Sequence, residues 1–335
     1  MTNYNQIDPW CIVEDGFQPE NKLASEIAFS LGNSHMCNHA HFEEFYSKDT
    51  EIGCYVSSVT KFADTNDEFA DQLSNLPNWL SLHVRLNAEM LDLGRCEVVD
   101  YRRVLNMQQG YLERTFEVKT ATGHHIEVSV QRFLSLAQSE VGAIKYVLKS
   151  LNFEGRVAFV PVIDGGFNAI YAPDDEPQWN VLQSRTQQDV AHLWIQTRRT
   201  NFQVCSAMTY ELFKNNAPVK SNPTKIEKQK VAGFSVGADV KTGDTICIYK
   251  YFSVLSSLDH YYQELTTKSC ELALKAKHSG WNYLFAEHSL AWAQKWESTE
   301  SEIDGDLEAL QAARYTVFHQ NQLIAMNIDA NQGLK

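Results

Sequence analysis

The sequence predicts a mainly β protein, in which a large antiparallel β-sandwich is followed by linker α-helices. From about Thr50 to Ser256, short runs of alternating apolar and polar residues are separated by turn residues, which is typical of strands that bury one face. From Ser257 onward the apolar period changes to three and four residues, which indicates helices. So many strands in one stretch favour a sandwich.

The clearest predicted element is a β-hairpin. Apolar side chains share a period of two in residues 112–118 and again in residues 126–136, and Thr122-Gly123 between them is a turn signal. Further strands are predicted at residues 156–163, 192–213, 231–236 and 246–255. Turns and loops are predicted at residues 173–177, 215–224 and 241–244.

Three helices are predicted after the strands. Asp259 can cap a helix that runs to His278, and Gly280 suits its C-terminal end. A third helix is expected to start after Asp306, whose carboxylate favours a helix N-terminus. The second helix, residues 281–296, places five ring side chains near one face, here called the aromatic stripe: Trp281, Phe285, His288, Trp292 and Trp296.

Composition indicates a folded globular protein and narrows its partners. Of 335 residues, 44% are hydrophobic and 21% are charged, as in ordinary globular chains. The formal net charge of -13 opposes binding to nucleic acid and to anionic membrane surfaces. No signal peptide and no stretch long enough to span a bilayer is present in the sequence, so we expect neither export nor membrane insertion.

The cysteines indicate a reducing compartment. They are odd in number, scattered and without a CxxC pair, so neither a disulfide framework nor a zinc ribbon is indicated, and we expect a cytoplasmic protein. The seven are Cys11, Cys37, Cys54, Cys96, Cys205, Cys247 and Cys270.

One segment carries residues that zinc prefers. His35, Cys37, His39 and His41 would lie on one side of an extended strand. Neighbours on such a strand are splayed along it, whereas structural zinc sites draw ligand pairs from turns. We therefore expect surface or core histidines, with zinc as the weaker hypothesis.

Two acidic segments have some features of a functional site, but the residues at their key positions argue against that function. Glu300, Glu302, Asp304, Gly305 and Asp306 half resemble a calcium loop, but the first position is not Asp and the twelfth, Gln311, is not Glu. Asp174, Asp175 and Glu176 lie between prolines without apolar shielding, so nothing predicts the raised pKa of a general acid. Solvated turns are expected at both places.

The aromatic stripe could stack on a sugar ring, yet this spacing is typical of helix packing. Phosphate-binding glycine loops, GxSxG elbows and HExxH pairs do not occur in the sequence. No catalytic, cofactor-binding or metal-binding residue is assigned, and no cofactor is expected.

Several strings resemble, in order, the N-terminal region of glycoside hydrolase family 65, the maltose, kojibiose and trehalose phosphorylases. The collinear match covers about nine-tenths of the chain and continues to Arg314 and Phe318. The main strings are residues 26–33 (EIAFSLGN), 42–44 (FEE), 76–79 (LPNW), 101–107 (YRRVLNM), 132–135 (RFLS), 292–296 (WAQKW) and 303–306 (IDGD).

The resemblance implies an order of domains. We expect a β-sandwich in residues 1–256, a helical linker in residues 257–300, and in residues 301–335 a truncated start of an (α/α)6 catalytic barrel. Only the first helix of that barrel would be present, so the expected barrel is incomplete.

The resemblance also implies a reaction. Family enzymes cleave an α-linked glucose disaccharide with inversion: a glutamate protonates the leaving oxygen while inorganic phosphate attacks the opposite face. That glutamate and the phosphate pocket belong to the barrel and match no residue up to Lys335. We therefore expect the N-terminal portion of an inverting disaccharide phosphorylase, inactive alone.

The chain departs from the family pattern in two places. It has Gly32-Asn33-Ser34-His35 where a glycine-rich turn is usual, and the segment after Phe318 loses the expected run into the barrel. The alternative is a stand-alone carbohydrate-binding or interaction module.

Structural roles are expected for several residues. Arg102, Arg103, Arg114 and Arg132 suit charge-assisted contacts, and Trp79, Trp292 and Trp296 suit packing. Without a barrel, the aromatic stripe would be exposed and would favour a homodimer.

Overall fold

The computed structural model describes residues 7–50, 52–62, 71–166, 178–220, 222–299 and 306–323. Its strands are β1 (Cys11–Asp15), β2 (Leu31–Gly32), β3 (Met36–Asn38), β4 (Cys54–Val56), β5 (Thr60–Phe62), β6 (Asp71–Leu73), β7 (Leu82–Leu86), β8 (Glu89–Met90), β9 (Glu97–Asn106), β10 (Tyr111–Lys119), β11 (His125–Leu134), β12 (Val141–Ser150), β13 (Gly155–Asp164), β14 (Trp179–Thr186), β15 (Ala191–Thr197), β16 (Gln203–Lys214), β17 (Ala217–Pro218), β18 (Thr224–Lys228), β19 (Val231–Val240) and β20 (Thr245–Ser256). The helices are α1 (Lys22–Ala28), α2 (Leu265–Ser279), α3 (Trp281–Thr299) and α4 (Leu307–Leu323).

A ten-stranded antiparallel sheet forms the centre of the molecule. Its order is β1-β9-β10-β11-β12-β20-β16-β15-β14, with β17 paired to β16. The predicted hairpin is confirmed as β10 and β11, with Phe116 opposite Val128 in the register. Gly123 has a φ of +85° in the connecting turn, which explains the glycine there.

A five-stranded sheet, β18-β19-β13-β7-β8, packs on one face of the large sheet, so the predicted antiparallel sandwich is confirmed. Side chains from both sheets share one core, in which Trp79, Phe159, Phe234 and Phe252 are fully buried. Every second residue of a strand faces the core, which explains why apolar residues recur with a period of two in the sequence. Two small sheets, β2-β3-β4 and β5-β6, complete the β structure of the described residues.

Helices α2 and α3 cover the opposite face of the large sheet. The ring of Trp281 lies 5.1 Å from that of Phe133 on β11, and the indole of Trp296 donates to the Met107 carbonyl at 3.0 Å. Trp292 exposes only 1% of its surface. The expectation that the aromatic stripe is exposed is therefore wrong: the stripe packs on the sheet of its own chain, and the packing interpretation holds.

Helix α4 returns to the N-terminal strand. Its Gln311 amide donates to the Cys11 carbonyl at 2.7 Å, and the Phe318 ring lies 4.8 Å from that of Trp292. Asp306 accepts the Glu308 and Ala309 amides at 3.1 and 3.0 Å, which confirms the predicted N-cap.

The other helix ends follow the prediction in part. Gly280 ends α2 with a φ of +79°, as expected. Asp259 is not a cap, because α2 begins only at Leu265 and Asp259 instead accepts the Ser256 hydroxyl at 3.2 Å.

One strand prediction and one loop prediction are corrected. Residues 192–213 form two strands, β15 and β16, because residues 198–202 turn back between them. The predicted loop at 215–224 contains β17 and the first residue of β18. The loop predicted at 173–177 lies outside the described residues.

No described helix has the length and apolar character that crossing a membrane requires.

Candidate functional site: a buried charge network

A cluster of buried charges lies in the described part of the molecule where the segment after β3 runs against strands β10 and β11. Ala40 donates its amide to the Glu26 carbonyl at 2.7 Å, and the Glu43 carbonyl accepts the Leu82 amide at 2.7 Å. These main-chain bonds fix Glu43 and Glu44 beneath the large sheet, where both are buried.

Glu43 is held by two arginines. Its Oε2 lies 2.6 Å from Nη2 of Arg114, and its Oε1 accepts Nη1 of Arg132. Arg132 also donates to the His41 and His39 carbonyls at 2.9 and 3.1 Å. Burial alone would raise the pKa of Glu43, but Arg132 and Arg114 outweigh it and hold that pKa at about 2.

Glu44 shares Arg114 and adds a tyrosine. It accepts Nη2 of Arg114 through one oxygen and the Tyr146 hydroxyl at 2.7 Å through the other. Burial, and then the Glu44 charge, raise the pKa of Tyr146 well above its usual value, so the hydroxyl stays a donor.

Two further ion pairs adjoin this centre. Arg103 lies 3.1 Å from Glu14 and donates to the Tyr101 hydroxyl at 2.9 Å. Lys22 binds Glu26, and its ammonium lies 4.5 Å from the centre of the Phe42 ring. The charge network thus pairs four cations, Lys22, Arg103, Arg114 and Arg132, with four carboxylates, Glu14, Glu26, Glu43 and Glu44.

Lys250 on β20 is a separate buried lysine that joins the two sheets. Its Nζ donates to the carbonyls of Ser81 and Val162, both at 2.8 Å. Burial lowers the pKa of Lys250 to about 7.

The histidine and cysteine segment does not converge on one point. His35 binds the Val254 carbonyl at 2.8 Å, and His41 binds the Asn78 side chain at 3.2 Å. Burial lowers the pKa of His41 to about 3 and raises that of the Cys37 thiol to about 12. The His39 ring lies 5.6 Å from Tyr55. These separate partners give the zinc hypothesis no geometric support.

Other candidates are placed as follows. In the part of the chain that the structure describes, no three His, Cys, Asp or Glu side chains are grouped as metal ligands. Residues 174–176 and 300–305, which include Glu300, Glu302, Asp304 and Gly305, lie outside that part. Arg103, Arg114 and Arg132 make the charge-assisted contacts expected of them, while Arg102 pairs with Asp15 at 3.6 Å on the surface.

The arrangement suits a scaffold better than catalysis. A general acid needs a raised pKa and access to substrate, whereas the Glu43 carboxylate has a lowered pKa and is closed off by its arginines. Sequence reasoning missed Glu14, Lys22 and Lys250. Among the carboxylates of the network, Glu43 and Glu44 left a signal, since they form an adjacent acidic pair between aromatic residues.

The fold and the buried charge network define a large antiparallel β-sandwich region with helices at its C-terminal end. Residues 12–295 match the family model described as glycosyl hydrolase family 65, N-terminal domain, and the chain belongs to that family.

Curated relatives agree with the family match. The chain is 24% identical to the alpha,alpha-trehalose phosphorylase of Thermoanaerobacter brockii, covering 98% of the chain and 44% of the relative. It is 26% identical to the maltose phosphorylase of Bacillus subtilis (strain 168), covering 93% and 42%. It is also 26% identical to the kojibiose phosphorylase of Halothermothrix orenii, covering 94% and 40%. The chain therefore spans less than half the length of these relatives.

A solved structure shows the same fold. A putative kojibiose phosphorylase from the human microbiome superposes with a TM-score of 0.84 at 21% identity, covering 95% of this chain and 42% of that chain.

Proposed function

We propose that this chain is the N-terminal scaffold of an inverting disaccharide phosphorylase of the maltose, kojibiose or trehalose type, and that it has no turnover alone. The observation that carries the proposal is the pairing of all eight charges of the network with one another inside the sandwich. Carboxylates committed in this way stabilise a fold and leave no proton donor for a substrate.

The chemistry of such a reaction explains what the chain would lack. Protonation of the departing glycosidic oxygen needs a carboxylic acid, and attack by phosphate needs cationic or amide donors around an anion. In this proposal inorganic phosphate and an α-linked glucose disaccharide are ligands of the complete enzyme. The chain's own residues contribute rigid support.

The proposed division of the chain follows the same logic. Residues 1–256 would be the sandwich domain, 257–300 the helical linker, and 301–335 the start of the catalytic barrel. We place the protein in the cytoplasm, in keeping with its free thiols. A homodimer stays a prediction, and the stripe that motivated it is buried.

The test is phosphate-dependent glucose release by the purified chain from maltose, kojibiose and trehalose. We expect no release above a protein-free blank, while a complete maltose phosphorylase in the same assay turns over maltose. Release that requires both phosphate and the folded chain would overturn the proposal.

The second candidate is a carbohydrate-binding module. A polar groove along one edge of the sandwich favours it, and that groove can coexist with the scaffold role.

A further inference from the structure

An open groove follows the edge of the sandwich where β14, the last strand of the large sheet, approaches β18, the last strand of the smaller one. Three depressions of about 510, 460 and 380 Å³ belong to it: the second and third lie between β14 and β18, and the first lies beyond the end of β14, against β16 and β17. Asp189 lines the first two. The third is lined by Ser184 and the second by the next residue, Arg185, so the three depressions follow one another along the surface.

The lining is polar and rich in planar groups. Amide, carboxylate and guanidinium side chains present paired donors and acceptors, which match adjacent hydroxyl groups of a sugar ring. Tyr210 adds a ring, braced by Phe234 at 5.3 Å. The principal polar side chains of the groove are Gln183, Arg185, Gln188, Asp189, Lys225 and Lys277.

Several of these groups are available to a ligand. Arg185, Lys225 and Lys277 form no salt bridge with a carboxylate in the described ranges of the chain. By contrast, the nearby Glu211 accepts the Tyr251 hydroxyl at 2.8 Å, and Glu227 is bound to Thr186. The groove therefore offers cationic donors without a salt-bridge partner, while the two nearby carboxylates accept hydrogen bonds from other groups.

We propose that this groove binds a linear α-linked gluco-oligosaccharide. Sites for small ligands are enclosed and mostly apolar, whereas an open polar groove suits an extended chain of sugar units. The net charge of -13 opposes a polyanion at long range, which favours a neutral polymer. The choice of glucose units rests on the proposed function.

The test is titration of the full chain with maltoheptaose, followed by calorimetry and amide chemical shifts. We expect saturable binding, with shifts confined to residues 181–190 and to the strands beside them. Maltose should bind at least roughly tenfold more weakly, because it reaches only one depression. Shifts that map elsewhere, or no saturable binding, would overturn the proposal.

Matched variants locate the site. Arg185→Ala with Asp189→Ala removes two exposed groove side chains and should weaken maltoheptaose binding at least about tenfold. The control, Glu127→Ala with Lys149→Ala, removes an exposed ion pair on β11 and β12 with the same change in net charge. It should bind like wild type. Equal binding by both double variants, each checked for native circular dichroism, would contradict the assignment.

Two further arms separate the explanations. Dextran sulfate should not compete with maltoheptaose, and binding of dextran sulfate alone would mean a polyanion site instead. The titration does not depend on turnover, so it tests the groove separately from the scaffold. Absence of oligosaccharide binding would overturn the groove proposal, and glucose release would overturn the scaffold proposal.

Discussion

Glu43 and Arg114 form a salt bridge that lies almost wholly out of water, with 2.6 Å between Oε2 and Nη2 and side-chain exposures of 2% and 4%. The carboxylate comes from the segment after β3 and the guanidinium from β10 of the large sheet. The pair therefore fastens an irregular segment to regular structure. Its role is that of a structural anchor.

Loss of this anchor should be costly. Glu43→Gln leaves Arg114 and Arg132 without a shared buried counter-charge, so we expect a loss of about 3–5 kcal/mol in the free energy of unfolding. Glu127→Gln, which breaks an exposed pair with Lys149, should cost less than about 1 kcal/mol. Urea unfolding measures both, and equal costs would contradict the structural role.

Buried neutral histidines predict sensitivity to acid. Burial lowers the pKa of His41 to about 3 and those of His288 and His319 to about 4. Between the usual value near 6.5 and these values, the unfolded chain binds protons that the folded chain does not. Stability should therefore fall as pH falls from about 6.5 to about 4.

His288 makes this testable at one position. Its Nδ1 accepts the Leu136 amide at 3.0 Å and its Nε2 donates to the Gly110 carbonyl at 3.0 Å, a pattern that requires the neutral ring. His288→Gln should weaken the acid sensitivity of urea midpoints compared between pH 7 and pH 5. A midpoint that does not change in wild type between those pH values would contradict the account.

Lys250 predicts that stability also rises with pH in the range above neutrality. Because its pKa is about 7 when folded and 10.5 ordinarily, the unfolded chain holds a proton that the folded chain lacks in that window, so its contribution to stability rises with pH. The rise is at most about 1.4 kcal/mol per pH unit. Lys250→Met should remove it between pH 7 and 8.5, whereas Lys149→Met, at an exposed position, should keep it. Identical slopes in the two variants would refute this.

Two glycines with positive φ give a test of the helix contact. A Cβ at Gly110, where φ is +69°, would lie 1.8 Å from Nε1 of Trp292, whereas a Cβ at Gly123, where φ is +85°, meets nothing within 4 Å. Gly123→Ala should cost about 1 kcal/mol from backbone strain alone. Gly110→Ala should cost roughly 2 kcal/mol more, since α3 must shift. Thermal unfolding of both variants measures the difference, and equal costs would argue against tight packing of Trp292.

Local signals predicted the regular structure well. The Thr122-Gly123 turn, the Gly280 stop and the Asp306 cap each depend on neighbours within a few residues, so the sequence displays them directly. Asp259 is the exception, because its side chain turns toward Ser256 and lies 3.7 Å from His35. The contact with His35, which is distant in sequence, accompanies the loss of the expected helix N-cap at Asp259.

The sequence indicated some members of the charge network but not the groups with which they pair. The arginines were recognisable as candidates for charge-assisted contacts, but Arg114 pairs with Glu43 across 71 positions of sequence, a separation that no local pattern indicates. Lys250 binds main-chain carbonyls 169 and 88 positions away, and carbonyl acceptors have no side-chain signature at all.

We propose that the described residues form a support and supply neither a proton donor nor an anion-binding site. Phosphorus NMR of the purified chain with inorganic phosphate and each of maltose, kojibiose and trehalose tests it most directly, because reactant and product phosphates give separate signals. We predict an inorganic phosphate signal that stays unchanged in position and intensity. Growth of a β-glucose 1-phosphate signal, the product that inversion at an α-linked glucose requires, would contradict the account.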